Sequence, residues 1–318
     1  METSRWAGGG LAFFRERTPD PGTIVLPGRK SPVKGKKKGK PPPKRWWFPF
    51  SRKPSVPREV PLWKPIIPAG QLSFICDICG NAAEADLEQA AGREIITCQC
   101  GSTLRFRAIV AALQERLFGE VQPLRQLPEH KEIKGVGMSE TGVYCHLLAE
   151  KFDYLNTFLD RKPILDILDP APEYIGRSDF VICSDVVEHV QQPIELAFQN
   201  LRRLLRPGGT FVFTVPYSLG EGIIEHFPDL YSYEITGSGA ETCLVNTSRT
   251  GEKTTYRDVR FHGGHGSVLE MRLFSLGGVL RLLHQSGFRD IRIHDDHLPR
   301  WGIVNLERTS HPITAIAD

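Results

Sequence analysis

Four of the seven cysteines, Cys76, Cys79, Cys98 and Cys100, fall within 25 residues, while Cys145, Cys183 and Cys243 are scattered. Cys76-Asp-Ile-Cys79-Gly80 reads as a knuckle, two thiolates on a tight turn that the glycine permits, and Cys98-Gln-Cys100-Gly101 is a second such turn. Four thiolates on two turns can close a tetrahedral shell around a structural zinc ion and staple a segment too short to fold alone. The one-residue gap in the second pair departs from the usual two, so a reducible dithiol or unligated thiols compete with that reading. An odd cysteine count behind an N-terminus without a secretory signal argues against a disulfide framework.

The imidazoles come next, because a group with a pKa near 7 can take a proton from a reacting hydroxyl. The candidates are His189, directly after Glu188; His226, in Glu225-His-Phe-Pro228; and His262 and His265, in His262-Gly-Gly-His265-Gly266. Capping or packing competes for His189, and a metal site made from the last two lacks a firm third ligand. Glycines supply the remaining chemistry. Gly135-Val-Gly137-Met-Ser139-Glu140 ends an apolar run and opens a helical pattern, and Asp160 lies about twenty residues beyond the glycines. In that arrangement the backbone approaches a nucleotide and the acidic side chain takes both ribose hydroxyls. A nicotinamide and an adenosyl ligand both fit it, and so does a tight turn with no ligand.

These groups need elements to hold them. Runs at 134–138, 154–159, 164–168, 180–183 and 210–215 read as strands, and helical spacing marks 143–152 and the segment that Pro193 opens. Ser102 reads as the N-cap of an earlier helix, with Leu104, Ile109, Leu113 and Leu117 on one face and Gly119 at its end. Arg105 and Arg107 on its first turn oppose the helix dipole, which suits an anion nearby, the thiolate cluster being the nearest candidate, and a solvated helix face fits them equally well. Strand and helix alternate, which implies crossover connections and a largely parallel sheet covered on both faces. After Pro216 the rhythm stops for some fifty residues, where 242–248 and 254–261 flank Arg249-Thr-Gly-Glu252 as an inserted β-hairpin. A helix over 275–285 and strands at 290–294 and 302–306 follow. The expected domains are a basic arm at 1–68, a cysteine-knuckle module at 71–128, and an α/β domain at 130–318 with an insertion at 217–266. Gly220, Gly222, Gly263, Gly264 and Gly266 would let that insertion close as a lid, with Tyr217 and Glu225 as polar neighbours of its histidines, and a rigid hairpin with its histidines at the surface is the competing reading.

The formal charge of +3 hides a division, because residues 1–68 carry 16 Lys or Arg against 4 Asp or Glu and the rest carry 24 against 33. Thirteen of the 24 prolines lie in that arm, together with Trp46, Trp47, Phe48 and Phe50 among cations. Such a segment cannot bury enough apolar surface to fold. Its charge suits a weak contact with anionic lipid or nucleic acid, and packing of its aromatics on the body is the plainer alternative. No run of apolar residues is long enough for a spanning helix, and a cytoplasmic location is the default expectation.

Asp179-Phe-Val-Ile-Cys-Ser-Asp-Val-Val-Glu-His-Val190, followed by Leu201-Arg-Arg-Leu-Leu-Arg-Pro-Gly-Gly-Thr-Phe211, is more specific. Over residues 130–307 the chain resembles the class I S-adenosylmethionine-dependent methyltransferases. Within them it resembles a bacterial subgroup in which a cysteine knuckle and a Cys-Gly-Ser-x-x-Arg-x-Arg stretch, here Cys100 to Arg107, precede the domain. The resemblance implies a Rossmann-like, doubly wound, mostly parallel seven-stranded sheet, preceded by a zinc-ribbon-like module. It places the methionine part of the donor near Gly135, Gly137 and Ser184, with Ser139 and Asp185 beside them, the ribose on Asp160 and the adenine near Asp166. His189, His226 and His262 are then the candidate bases. The first loop departs from the family's Gly-x-Gly-x-Gly pattern after an acidic residue, since Lys134 precedes it and Ser139 interrupts it. A binding protein that kept the fold and lost the donor site is therefore the first rival, and a nicotinamide-dependent oxidoreductase the second. The acceptor is expected to be a glycan or another small hydroxyl or amine.

Overall fold

The computed structural model of the chain describes residues 70–262, 268–307 and 309–318. The basic arm with its four aromatics, and Gly263, Gly264, His265 and Gly266, lie outside the described residues. The described chain begins with β1 (Gln71–Ile75) and β2 (Ala82–Asp86), an antiparallel hairpin whose turn carries Cys76 and Cys79. The short α1 (Leu87–Ala91) leads to the second cysteine pair and then to α2 (Leu104–Phe118). The N-cap of α2 is Thr103, whose Oγ1 accepts from Phe106 N, one residue beyond the Ser102 expected from sequence. Ser102 is instead turned inward, with its Oγ 3.3 Å from Cys76 Sγ and accepting from Arg107 at 3.1 Å. Gly119 ends the helix as expected, at a φ of 79° that favours glycine.

The alternation that follows is β3 (His130–Met138), α3 (Gly142–Lys151), β4 (Phe152–Thr157), β5 (Ser178–Ser184), α4 (Ile194–Leu204) and β6 (Leu205–Thr214). The insertion holds β7 (Tyr217–Ser218), β8 (Ile223–Glu225), β9 (Ser232–Thr236), β10 (Cys243–Thr247), β11 (Lys253–Tyr256) and β12 (Phe261–His262). Then come β13 (Val268–Leu269), β14 (Arg272–Ser275), α5 (Leu276–Gln285), β15 (Phe288–Ile293) and β16 (Ile313–Ala317). The central sheet runs in the order β15-β16-β6-β5-β3-β4. Its β6, β5, β3 and β4 are parallel, and β16 is antiparallel to both β6 and β15. The fold is thus a large mixed α/β sheet, with six strands among the described residues where seven were expected.

Ile164–Leu168 is not a strand, and only a single bridge joins Phe158 to Ile164. Pro163 withholds a donor at its start, and Asp166 Oδ1 accepts from Leu168 N, turning the chain before a ladder can form. Leu165 and Ile167 are nonetheless buried, which accounts for the strand-like pattern. Gly302–Leu306 is not a strand either. Gly302 takes a φ of 69° with the Phe74 ring against its Cα, so this segment packs on β1 and α2. The final strand is β16, where Ile313, Thr314, Ala315 and Ala317 are all buried, as suits a strand covered on both faces.

Successive strand residues point to opposite sides. Phe180, Ile182 and Val212 face α2, α3 and the cysteine turns, while Val181, Cys183, Phe211 and Phe213 face α4 and α5. Fully burying rings such as Phe152, Phe180 and Phe198 contributes roughly 2–3 kcal/mol apiece. Cys76, Cys79 and Cys98 belong to the same apolar cluster as Phe180 and Val212, so the knuckle shares the core that backs the sheet. The expected hairpin is present as β10 and β11, with β9 added on the other edge of β10. Phe227, Leu244, Leu269 and Met271 give this insertion a small core of its own. No helix among the described residues is long and apolar enough to cross a membrane.

Candidate functional site

Three groups of chemically capable residues gather on or near the carboxyl ends of the parallel strands. The first is the knuckle. Gly80 N donates to Cys76 O at 2.8 Å and Gly101 N to Cys98 O at 2.9 Å, with φ values of 81° and 87° at the glycines. These are the two tight turns expected from the sequence. Cys76 Sγ lies 3.7 Å from Cys100 Sγ and Cys79 Sγ 3.7 Å from Cys98 Sγ, and all four sulfurs lie within 4.8 Å of one another. A disulfide would need about 2 Å. Sulfurs at tetrahedral corners about 2.3 Å from a zinc ion stand about 3.8 Å apart, so the donor set fits that ion. Burial pushes the Cys79 and Cys98 thiols up. At Cys100 burial acts the same way, but hydrogen bonds from Ser102 outweigh it and the thiol ends below its ordinary value. Arg107 is fully buried beside this group, stacked 4.8 Å from the Phe74 ring and donating to Gly302 O at 2.9 Å. One of the two first-turn arginines therefore does meet the cysteines.

Arg105 goes elsewhere, to the ends of β5 and β6. Its Nη1 donates to Ser184 Oγ at 2.7 Å, Ser184 Oγ lies 2.9 Å from Thr214 Oγ1, and Thr214 Oγ1 donates to Asp185 at 2.9 Å. Arg93, from the loop before Cys98, grips both Asp185 oxygens at 2.8 Å. Glu94 accepts from both arginines, at 2.6 and 2.7 Å. Burial pushes Asp185 up, but the Arg93 guanidinium, with Arg105 and Thr214, overrides it and holds the carboxyl at about 2. In the sequence Arg93 and Glu94 are a pair of adjacent opposite charges between two cysteine turns, which carries no signal of this role.

The glycine loop sits on the neighbouring strand end. Ser139 adopts a φ of 59° and Ser139 N donates to Thr157 O at 2.7 Å, so a serine occupies a left-handed position that glycine normally fills. A Cβ on Gly135 would strike the Phe180 ring and one on Gly137 the Tyr154 hydroxyl, so protein packing alone requires these two glycines. Glu140 is buried, accepts from Tyr144 Oη and from Ser184 N at 3.2 Å, and burial raises its carboxyl to about 7. Asp160 is exposed three residues past the end of β4, and Asp166 is half-buried in the turn that replaces the expected strand. Asp160 and Asp166 thus stand on the segment after β4.

The third group lies where the insertion meets the loop after β5. Met271 N donates to Glu188 O at 2.8 Å, Arg272 Nη1 to Val187 O at 2.8 Å, and His189 Nδ1 pairs with Leu269 O at 2.8 Å. His262 Nδ1 is 3.4 Å from Glu188 Oε1 and His189 Nε2 is 3.8 Å from it. His226 Nε2 pairs with Glu270 Oε1 at 2.8 Å. Burial pushes Glu270 up, but the His226 bond, with the charges of His262 and His189, lowers it overall. The Glu188 carboxylate facing it raises His262, to which the Asp185 charge adds. The three candidate histidines are thus brought together beside the strand end that bears Asp185. Tyr217 is not with them: it is buried, its hydroxyl accepts from His311 N at 3.2 Å, and Glu225 is spent on Arg272 at 2.7 Å. Gly222 O accepts from Ser275 Oγ at 2.5 Å, tying that glycine to the cap of α5.

The chain matches the family model of a methyltransferase domain over residues 124–293. No curated protein matches it in sequence. Among solved structures, it is similar to an amino pentose methyltransferase from Micromonospora echinaspora involved in calicheamicin biosynthesis, with S-adenosylmethionine bound. That pair shares 14% identity over 69% of this chain and 93% of the other, at a TM-score of 0.39. An S-adenosylmethionine-dependent methyltransferase from Mesorhizobium loti is 18% identical over 61% of this chain and 95% of its own, with a TM-score of 0.37. The citrinin polyketide synthase CMeT domain is 14% identical over 68% of this chain, at 0.37, and the chain spans 53% of that domain's length. The family match covers more than half of the 318 residues and includes β3 to β6 with the Glu188-His189 pair. The chain belongs to the class I S-adenosylmethionine-dependent methyltransferase family.

Proposed function

We propose that the chain transfers the methyl group of S-adenosylmethionine to a hydroxyl or amine of a small acceptor such as a glycan. The observation that carries this reading is the convergence of His189, His226 and His262 beside Asp185 at the carboxyl end of β5. Bound there, the donor supplies an electrophilic methyl whose carbon–sulfur bond breaks as the acceptor atom bonds the carbon, the electron pair leaving with sulfur. The protein then has to align the acceptor and remove its proton. His226 suits the second task, because Glu270 engages Nε2 at 2.8 Å and leaves Nδ1 to receive the proton. Asp185 and Glu140 suit the donor's cationic groups, Arg105 its carboxylate, and exposed Asp160 its ribose hydroxyls. The knuckle would hold zinc on Cys76, Cys79, Cys98 and Cys100, which suits a reducing compartment, the cytoplasm. The basic arm at 1–68 would add a salt-sensitive attraction to anionic lipid or nucleic acid.

The test is His226→Ala once an acceptor is in hand. Turnover should fall ~100-fold while donor affinity is unchanged. Normal turnover would take the base away from His226. A second reading, a binding protein without methyl transfer, is favoured by one observation: Arg93 and Arg105 already occupy Asp185 and Ser184. Calorimetry with S-adenosylmethionine separates the two, since donor binding requires those contacts to yield.

A further inference from the structure

We propose that Glu188, His189 and His262 bind a divalent first-row cation, with coordination positions left open towards an oxygen acceptor. Their ligand atoms lie within 4.8 Å of one another. The Glu188 side chain is 2% exposed, yet neither of its oxygens accepts a hydrogen bond of ordinary geometry. A buried carboxylate in that condition is costly unless a cation completes it. The facing histidines pair with it only loosely, at 3.4 and 3.8 Å, whereas a charge-assisted bond closes to about 2.7–2.9 Å. His226 and Glu270 close to 2.8 Å only a short way off, so the looser spacing is particular to this group. Ligands about 2.1 Å from one ion stand about 3–3.5 Å apart when adjacent, so a small closing movement of His189 would complete the set.

The surrounding bonds orient the donors. His189 Nδ1–H donates to Leu269 O, which turns the Nε2 lone pair towards Glu188, as the outer bond of a metal-bound histidine does. The Arg272 guanidinium, buried nearby, donates through Nε to Glu225 and through Nη1 to Val187 O, its Nη2 left without a hydrogen-bond partner. Two imidazoles and one carboxylate suit a first-row divalent ion that keeps open positions, in contrast to the thiolate set of the knuckle. This inference deepens the methyl-transfer reading and rests on it for its role. A hydroxyl on the cation would lose its proton more readily, and His226 with Glu270 remains to receive it. The acceptor atom is then oxygen.

The test uses the full chain with its knuckle zinc-loaded, and manganese(II) as the probe, followed by the loss of the free-ion paramagnetic resonance signal. A single equivalent should bind, and Glu188→Gln and His262→Ala should each weaken it at least tenfold. His262 is half-exposed at the end of β12, so that variant keeps the test meaningful where Glu188→Gln unfolds the protein. Cys79→Ser should bind manganese(II) as the wild type does. Absence of uptake, or equal uptake by both site variants, overturns the cation site. Calorimetry on the same samples keeps the two readings apart. S-adenosylmethionine binding without manganese(II) uptake sinks only the cation, and uptake lost in the variants without donor binding supports the cation while sinking methyl transfer.

Discussion

The cysteine group and the histidine group are both sets of metal-type ligands, and they differ in the features that decide what such a set is for. The cysteines are four, three of them buried, and they join the apolar cluster behind the sheet. The histidines share one carboxylate, are partly exposed, and sit where an insertion meets a strand end. A complete set sunk in a core holds structure, while an incomplete one at a strand end leaves room for a substrate. Asp185 lies between them, gripped by Arg93 from the cysteine side and felt by His262 on the other.

The sharpest way to break this contrast is Cys79→Ser. If the knuckle is structural, protein purified under reducing conditions without chelators contains zinc and the variant loses it. Its melting temperature should drop by roughly 10 °C or more, because α2 loses its brace and a few kcal/mol go with it. The α4 and α5 face should keep the sheet folded below that point. A variant that loses metal but melts like the wild type would place the knuckle outside the structural role.

A smaller effect comes from the carboxylates between the two groups. Asp185, held at about 2 against an ordinary value near 3.9, stabilises the fold above the ordinary value, and that contribution of about 2 kcal/mol is lost as pH falls from 4 towards 2. Glu140, raised to about 7, has the opposite sign. The folded state keeps its proton longer than the unfolded chain, so about 3 kcal/mol disappears as pH rises from roughly 4.5 through 7. Urea titrations across pH 2–8 should therefore show greatest stability on the acidic side of neutrality. Glu140→Gln should flatten the upper limb and Arg93→Ala the lower one. Two unchanged limbs would detach both carboxylates from the fold's energetics.

The smallest effect concerns Asp160, where Asp160→Ala should weaken S-adenosylmethionine about tenfold in calorimetry through loss of a charged acceptor. Unchanged affinity would move the ribose to another residue and narrow the functional region to the ends of β3, β5 and β6.

Much of this was legible in the sequence where a local rule governs the outcome. The cysteine turns follow from the glycines that close them, and α2, α4 and α5 from apolar spacing and stop signals. The Glu188-His189 pair and the Pro207-Gly208-Gly209 stretch marked β5 and β6. What was illegible depends on distant partners. Leu165 and Ile167 look like a strand because they are buried, but Pro163 has no N–H to offer a ladder and the Asp166 side chain takes that of Leu168. Arg93 meets Asp185 across 92 positions, a pairing no local pattern announces. The spacing of Gly135 and Gly137 suits a ligand's approach and a bare turn alike, and only the packing of Phe180 and Tyr154 against them shows why they carry no side chain.

The antiparallel β16 bears on where this protein can be divided. It lies between β6 and β15 and bonds to both, so the last five-residue strand is what joins the end of the sheet to its middle. A chain cut to the 124–293 stretch that matches the family would leave β15 with no neighbour among the described strands and expose the edge of β6. It would also strip Asp185 of both arginines. The portable unit for grafting or exchange is therefore not the recognisable one: it must start before β1 and run to the last residues, with the knuckle and the terminal strand acting as the two clasps of one sheet.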